Sequence, residues 1–161
     1  MYKRVLVPLD GSEVAEEILP FAEKVAGPLD AEIWLLCVVE PLSPAEIMAS
    51  AGVVAPDTLL AREIEAKRYL AEVGRRLAAK GLRVRSGIRL GAAAAEIVAA
   101  AATGGADLIA MTTHGRSGVR RMLFGSVAEA VLGKAPLPVL MIRMANDRSP
   151  APPPGGGRAS E

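Results

Sequence analysis

Short apolar runs alternate along this chain with segments whose apolar residues recur at helical spacing, and few folds accept that order. Arg4-Val5-Leu6-Val7-Pro8-Leu9 is the first run, broken by Asp10-Gly11-Ser12. Val14, Ile18, Phe21 and Val25 then fall on one face of a predicted helix from Ser12 to Ala26, closed by Gly27-Pro28. Ala31 to Val39 is apolar except for Glu32, the mark of a strand covered on both faces. Residues 40–56, rich in Pro, Ser and Ala, show no period and read as a long connection, which in a compact domain is often functional. Asp57 or Thr58 can cap a helix reaching about Lys80, with Leu60, Ile64, Leu70, Val73 and Leu77 as its apolar stripe. Leu82 to Leu90 alternates with Arg83, Arg85 and Arg89, which suits a protected sheet edge. An Ala-rich helix from Gly91 to Gly104-Gly105, a strand from Asp107 to Met111, a helix from Ser126 to Leu132 closed by Gly133, and a strand from Leu137 to Ile142 complete the series. The order β-α-β-α-β-α-β-α-β calls for one open parallel sheet with helices on both faces.

Composition narrows the function classes. Nineteen basic against eighteen acidic residues leave a net charge of +1, which argues against gripping nucleic acid through global charge. One cysteine, Cys37, excludes an internal disulfide framework, and one histidine, His114, excludes a multi-histidine metal site. No apolar run nears the roughly 18 residues of a membrane helix, and Pro8 and Asp10 cut the first run too early for a signal peptide. The expectation is a soluble, reduced, cytoplasmic protein without a membrane or nucleic-acid partner. After Arg143 the composition turns to Pro, Gly, Ser and Ala, so the expected division is a folded domain over residues 1–144 and a flexible tail over 145–161.

In an open α/β sheet, ligands bind beyond the carboxyl ends of the strands, so the residues after each strand carry the chemistry. The crossing after the fourth strand stands out. Between Asp107 and Glu129 there is no acidic residue, but there are three arginines, three glycines, two threonines, two serines and His114. Glycines let backbone N–H groups approach an anion, and Gly125-Ser126 opens a helix whose N-terminus favours negative charge. The segment is a sensible phosphate cradle, though neither a Walker loop nor a G-x-G-x-x-G fingerprint.

These residues carry a resemblance. Gly115, nine residues and then Gly125-Ser126 match the second half of the pattern G-x2-G-x9-G-[S/T], and the opening Val-Pro-Leu-Asp10-Gly-Ser and closing Ala-Pro-Leu-Pro-Val-Leu fit with it. The chain resembles the universal stress protein family, in its ATP-binding branch, over roughly residues 2 to 143. Thr112 stands where that pattern has its first glycine, and Ala92-Ala93 follow Gly91 where the family often has a proline. The resemblance implies a five-stranded sheet of order 3-2-1-4-5, a homodimer and bound ATP, for which Mg²⁺ is expected; Leu137–Ile142, six residues without a charge in a strand the family places at a sheet edge, is the expected dimer seam. Carried over by position, Pro8, Leu9 and Asp10 would line the adenine and ribose side, with Val38 on the base. Met111 and Thr112 would lie beside the ribose, and Gly115, Arg116, Gly125, Ser126 and Val127 around the phosphates. Asp10 is the candidate to hold the Mg²⁺ through water.

Plainer readings stand beside these. Asp10 can cap the first helix with Glu13 completing a capping box, and Ser126 is a natural N-cap. Arg116, Arg120 and Arg121 can be a solvated face, His114 a loop residue, Cys37 and Val38 core. The expected role is a non-enzymatic, nucleotide-binding regulator of the stress response. The alternatives are a slow ATPase or adenylate-handling enzyme, and an interaction module that takes no nucleotide. The motifs of adenylate-transferring relatives, His-x-Gly-His and Ser-Gly-Gly-x-Asp-Ser, do not occur.

Overall fold

A computed structural model describes residues 2–49, 57–113 and 125–143. The five strands are β1 Arg4–Pro8, β2 Glu32–Val39, β3 Val84–Leu90, β4 Leu108–Thr112 and β5 Val139–Ile142. They form one sheet of order β3-β2-β1-β4-β5, with every neighbouring pair parallel, as expected. The helices are α1 Glu13–Glu16, α2 Leu19–Leu29, α3 Pro44–Ala49, α4 Asp57–Ala78, α5 Ala93–Thr103 and α6 Ser126–Lys134.

The period of two in the strands sorts the core into two layers. Val5, Val7, Ile33, Leu35, Cys37, Leu108 and Ala110 face α1, α2 and α4, which contribute Ala15, Leu19, Ala22, Ala26, Ala66, Leu70, Val73 and Leu77. Leu6, Trp34, Leu36, Ile109 and Met111 face α5 and α6, which contribute Ile97, Ala100, Ala101, Ala128 and Val131. The three inner strands are covered on both sides, so they read as continuous apolar runs.

Several local expectations are corrected. The single helix from Ser12 is two, because Pro20 has no N–H for the Glu16 carbonyl and restarts the helix at its own first turn. Phe21 is 42% exposed rather than on the buried face. Gly27-Pro28 do not end α2, which turns out of the helix only at Asp30, in the left-handed region at φ 49°. Gly133 lies inside α6, not after it. The apolar stripe of α4 is buried only from Ala66 onward, where the helix crosses the sheet, while Leu60 and Ile64 are each 54% exposed. The i,i+4 spacing of Glu72 and Arg76 predicts an ion pair, but Glu72 pairs with Arg75 and Arg76 reaches Glu16 on α1. The connection after β2, read as aperiodic, contains α3, signed by a capping box: Glu46 N–H donates to Ser43 Oγ and Ser43 N–H to Glu46 Oε2.

On the open edge, the Arg85 guanidinium stacks over Trp34 at 4.2 Å from the ring centroid, so the charged edge strand also shields the largest core side chain. Where β3 ends, Gly91 has φ 141°, a conformation open to glycine, and the Glu96 side chain lies over it. The tail, residues 145–161, lies outside the described residues.

Candidate functional site: a cleft at the carboxyl ends of the strands

The strand order reverses at β1, with β2 on one side and β4 on the other. Their crossovers leave to opposite faces, α1 and α2 to one and α6 to the other, and a cleft of about 870 Å³ opens between them. From β4 across β1 to β2 it spans two strand spacings, about 10 Å, plus its walls.

The floor is the exit of β1. Leu9 is buried and its amide donates to the Leu36 carbonyl at 2.8 Å, which extends the β1–β2 pairing by one residue. The chain then turns through Gly11. Ser12, not Asp10, caps α1: its Oγ accepts from Ala15 N–H at 3.1 Å. Asp10 fixes the cap in turn, since its Oδ1 accepts from Ser12 N–H at 2.9 Å and from Ser12 Oγ–H at 2.6 Å. The carboxylate is therefore held at the cleft by the turn that follows it.

On the β4 side, Met111, Thr112 and Thr113 are buried to 7%, 5% and 2% exposure. Thr113 clips two elements to this strand end: its amide donates to the Ile142 carbonyl of β5 at 3.0 Å, and its carbonyl accepts from Gly125 N–H at 2.7 Å. That bond brings the start of α6 to the cleft. Gly125, with φ −70° and ψ 155°, is the N-cap and has no side chain to cap with, and Ser126 is the first helical residue, so the N-cap reading of Ser126 moves back by one. The first turn of α6 points its amides toward the strand ends.

Of the residues singled out from the sequence, Pro8, Leu9, Asp10, Val38, Met111, Thr112, Gly125, Ser126 and Val127 all line this cleft. Gly115 and Arg116 lie outside the described residues, as do His114, Arg120, Arg121, Met122, Leu123 and Phe124.

The opposite wall was not legible in the sequence. It is built by the connection after β2, α3 and the first half of α4: Glu40, Pro41, Ser43, Glu46, Arg62, Glu65 and Tyr69. The signals were the length of the connection over residues 40–56 and, within it, the Ser43–Glu46 spacing of a capping box. The Ser43 amide and hydroxyl, and then the Arg62 guanidinium, hold the Glu46 carboxyl down to about 2. Arg62 donates from Nη2 to Glu46 Oε1 at 3.0 Å and from Nη1 to the Glu40 carbonyl at 3.2 Å. Glu40 Oε1 accepts from Ala93 N–H at 3.0 Å and so caps α5 from the exit of the neighbouring strand β2, because the N-cap residue Ala92 has no polar side chain to do so. The Tyr69 hydroxyl is buried without a hydrogen bond of normal geometry, and burial, with the Glu16 and Asp10 carboxylates nearby, pushes its phenol up.

Among the described lining residues, four carboxylates (Asp10, Glu40, Glu46 and Glu65) face one cation, Arg62. No group of three or more His, Cys, Asp or Glu among the described residues has the geometry to hold a metal ion. No described helix is long and apolar enough to cross a membrane.

Fold and cleft together define a doubly wound α/β domain with an open cleft where the strand order reverses. The model of the universal stress protein family matches residues 1–143, and the chain belongs to that family. It is 35% identical over 143 residues to the universal stress protein MJ0531 of Methanocaldococcus jannaschii, covering 89% of this chain and 83% of that one. The structure of MJ0577, a universal stress protein of the same organism, superposes with a TM-score of 0.76 at 32% identity, covering 91% of this chain and 99% of the other. UspA of Lactobacillus plantarum superposes at 0.73 and 25% identity, over 88% and 98%. Two further universal stress proteins, one in complex with cAMP and one from Archaeoglobus fulgidus in complex with dAMP, share the fold at TM-scores of 0.63 and 0.62 and identities of 21% and 22%.

Proposed function

We propose that this chain is a regulatory protein of the stress response that works by holding an adenine nucleotide, ATP foremost, in the cleft. The observation that carries the reading is the meeting of the Asp10 turn and the N-terminus of α6 at the point where the strand order reverses. The complexes of related proteins with cAMP and dAMP support adenine as the base. In this reading Pro8, Leu9, Asp10 and Val38 take the base and ribose, Met111 and Thr112 the ribose, and Gly115, Arg116, Gly125, Ser126 and Val127 the phosphates.

Charge decides what else the site needs. A triphosphate cannot rest on a wall with four carboxylates and one arginine without further positive charge. The α6 amides supply part of it. Arg116, carried over from the resemblance, and a Mg²⁺ ion would supply the rest. Magnesium is commonly held by one or two carboxylates plus substrate phosphates, so Asp10 together with the phosphates would suffice to hold it. When bound, the ion would neutralise phosphate charge. The protein's output is binding rather than turnover, and it acts as a cytoplasmic homodimer.

A second reading, an interaction module that takes no nucleotide, is favoured by the acidic wall and by Thr112 in the glycine position. One experiment separates the two. Purified protein is denatured and any released nucleotide identified, and nucleotide-free protein is melted with ATP, ADP and AMP. At one hundred times its dissociation constant, ATP should stabilise the fold by about 2.7 kcal/mol. No released nucleotide together with unchanged melts would leave the second reading standing. Turnover above that of a Gly125→Asp variant would make the protein an ATPase instead.

A further inference from the structure

Helix α3 walls the cleft yet buries none of its residues: Met48 is 81% exposed and Ile47 38%. Its own cohesion is local, from the reciprocal Ser43–Glu46 capping box. Among the described residues, a side-chain tie from it to the body of the protein runs through Arg62 of α4, which grips both Glu46 and the Glu40 carbonyl at the exit of β2. The Arg62 and Glu46 side chains are 37% and 49% exposed, so water and salt weaken the grip. An element without buried contacts, fastened by a solvated ion pair, opens at far lower cost than the sheet beside it.

We propose that α3 is a flap over the cleft and that Arg62, bridging Glu46 and the Glu40 carbonyl, is its latch. Opening needs no unfolding of the core, because Glu46 keeps its bonds to Ser43 when Arg62 lets go. The same arginine is the one described cation on the cleft wall, so an anionic ligand entering the cleft competes with Glu46 for it. The flap rests on the nucleotide reading only for the identity of what it admits. Its primary readout needs no nucleotide.

Cys37 supplies that readout. It is the only cysteine of the chain, lines the cleft and is 8% exposed. Its rate of modification by a thiol reagent such as 5,5′-dithiobis(2-nitrobenzoate) therefore reports how often the cleft stands open. Arg62→Leu and Glu46→Gln should each raise that rate by about two- to fivefold, the range that loss of an exposed ion pair allows. The double variant should gain little over Arg62→Leu, since both remove one interaction. Arg75→Leu removes an exposed pair with Glu72 elsewhere on α4 and should leave the rate unchanged. Cys37 reacting as slowly in both latch variants as in the native protein overturns the flap. So does equal acceleration by Arg75→Leu, which would mean a loosened α4. ATP added to the native protein should slow the reaction. If the latch variants accelerate it and ATP does nothing, the flap stands and the nucleotide reading falls. If ATP protects and the latch variants change nothing, the reverse holds.

Discussion

At the scale of the residue, two glycines sit at helix boundaries for different reasons. Gly104 ends α5 with an ordinary φ of −93°, so conformation does not demand glycine there. Packing does: a Cβ would lie 2.2 Å from the Trp34 ring and 2.7 Å from the Ala100 carbonyl. Gly104→Ala should therefore destabilise the fold by about 1–3 kcal/mol in urea titration, where glycine-to-alanine replacement at a roomy site would stabilise it. Gly125 is the contrary case. Its φ and ψ suit any residue, and aspartate is a preferred N-cap. Gly125→Asp should leave the melting temperature equal or higher while placing a carboxylate where the phosphates are proposed to lie. Loss of nucleotide binding in a folded variant is the expected result, and native affinity, read by calorimetry, would move the phosphate site elsewhere. The sequence named Gly125 from the resemblance, but only the backbone angles show the substitution to be conformationally harmless.

At the scale of the element, the helices differ in how much of their boundary is written in their own residues. Helix α1 carries its cap in Ser12, with Asp10 fixing the Ser12 side chain. Helix α5 does not: its cap comes from Glu40, fifty-three positions upstream, brought close because β2 and α5 end and begin on the same side of the sheet. Glu40→Ala should cost about 0.5–1 kcal/mol, with faster amide exchange confined to the first turn of α5. Exchange that stays as slow as in the native protein would show that Glu40 does not cap α5. Helix α4 shows where periodicity stops being informative. Leu60, Ile64, Leu70, Val73 and Leu77 share one pattern, but the sheet lies only beneath the second half. Leu77→Ala should cost about 2–5 kcal/mol and Ile64→Ala under about 1 kcal/mol, measured by chemical denaturation. Similar costs would mean that the first half of α4 is covered in solution.

At the scale of the whole molecule, the two sheet edges are unlike. β3 carries Arg85 and Arg89 and holds Trp34 beneath Arg85, so it can face water. β5, Val-Leu-Met-Ile, has no charge, and its four residues are each partly exposed. Leu140 and Ile142 pack on one layer, Val139 and Met141 on the other. A bare apolar edge strand invites pairing, and a second copy of β5, antiparallel about a two-fold axis, would cover both edges at once. Light scattering at micromolar concentration should give twice the 16.7 kDa chain mass. A monomer would return the question to what covers β5. Because Leu140 and Met141 also serve the core layers, Leu140→Lys and Met141→Lys should weaken the fold along with the dimer.

The sequence by itself determined the α/β class, the number of strands and their order along the chain, and the described residues at the β1 and β4 exits that line the cleft, while the sheet order 3-2-1-4-5 came from the family resemblance. Strand patterns of period two and helix patterns of 3.6 are local properties, and the residues after a strand lie at its carboxyl end whatever the rest of the chain does. The family pattern in the segment after β4 added the candidate phosphate residues. Tertiary structure decided the rest, through contacts between residues far apart in the chain. Glu40 became a helix cap, Gly104 a packing constraint and Arg62 the tie that holds α3 to α4. The α3–α4 wall, with Glu46, Arg62, Glu65 and Tyr69, has no local signature beyond one capping box. Its residues become neighbours only when α4 folds back across the sheet, and no spacing within a single element encodes that return.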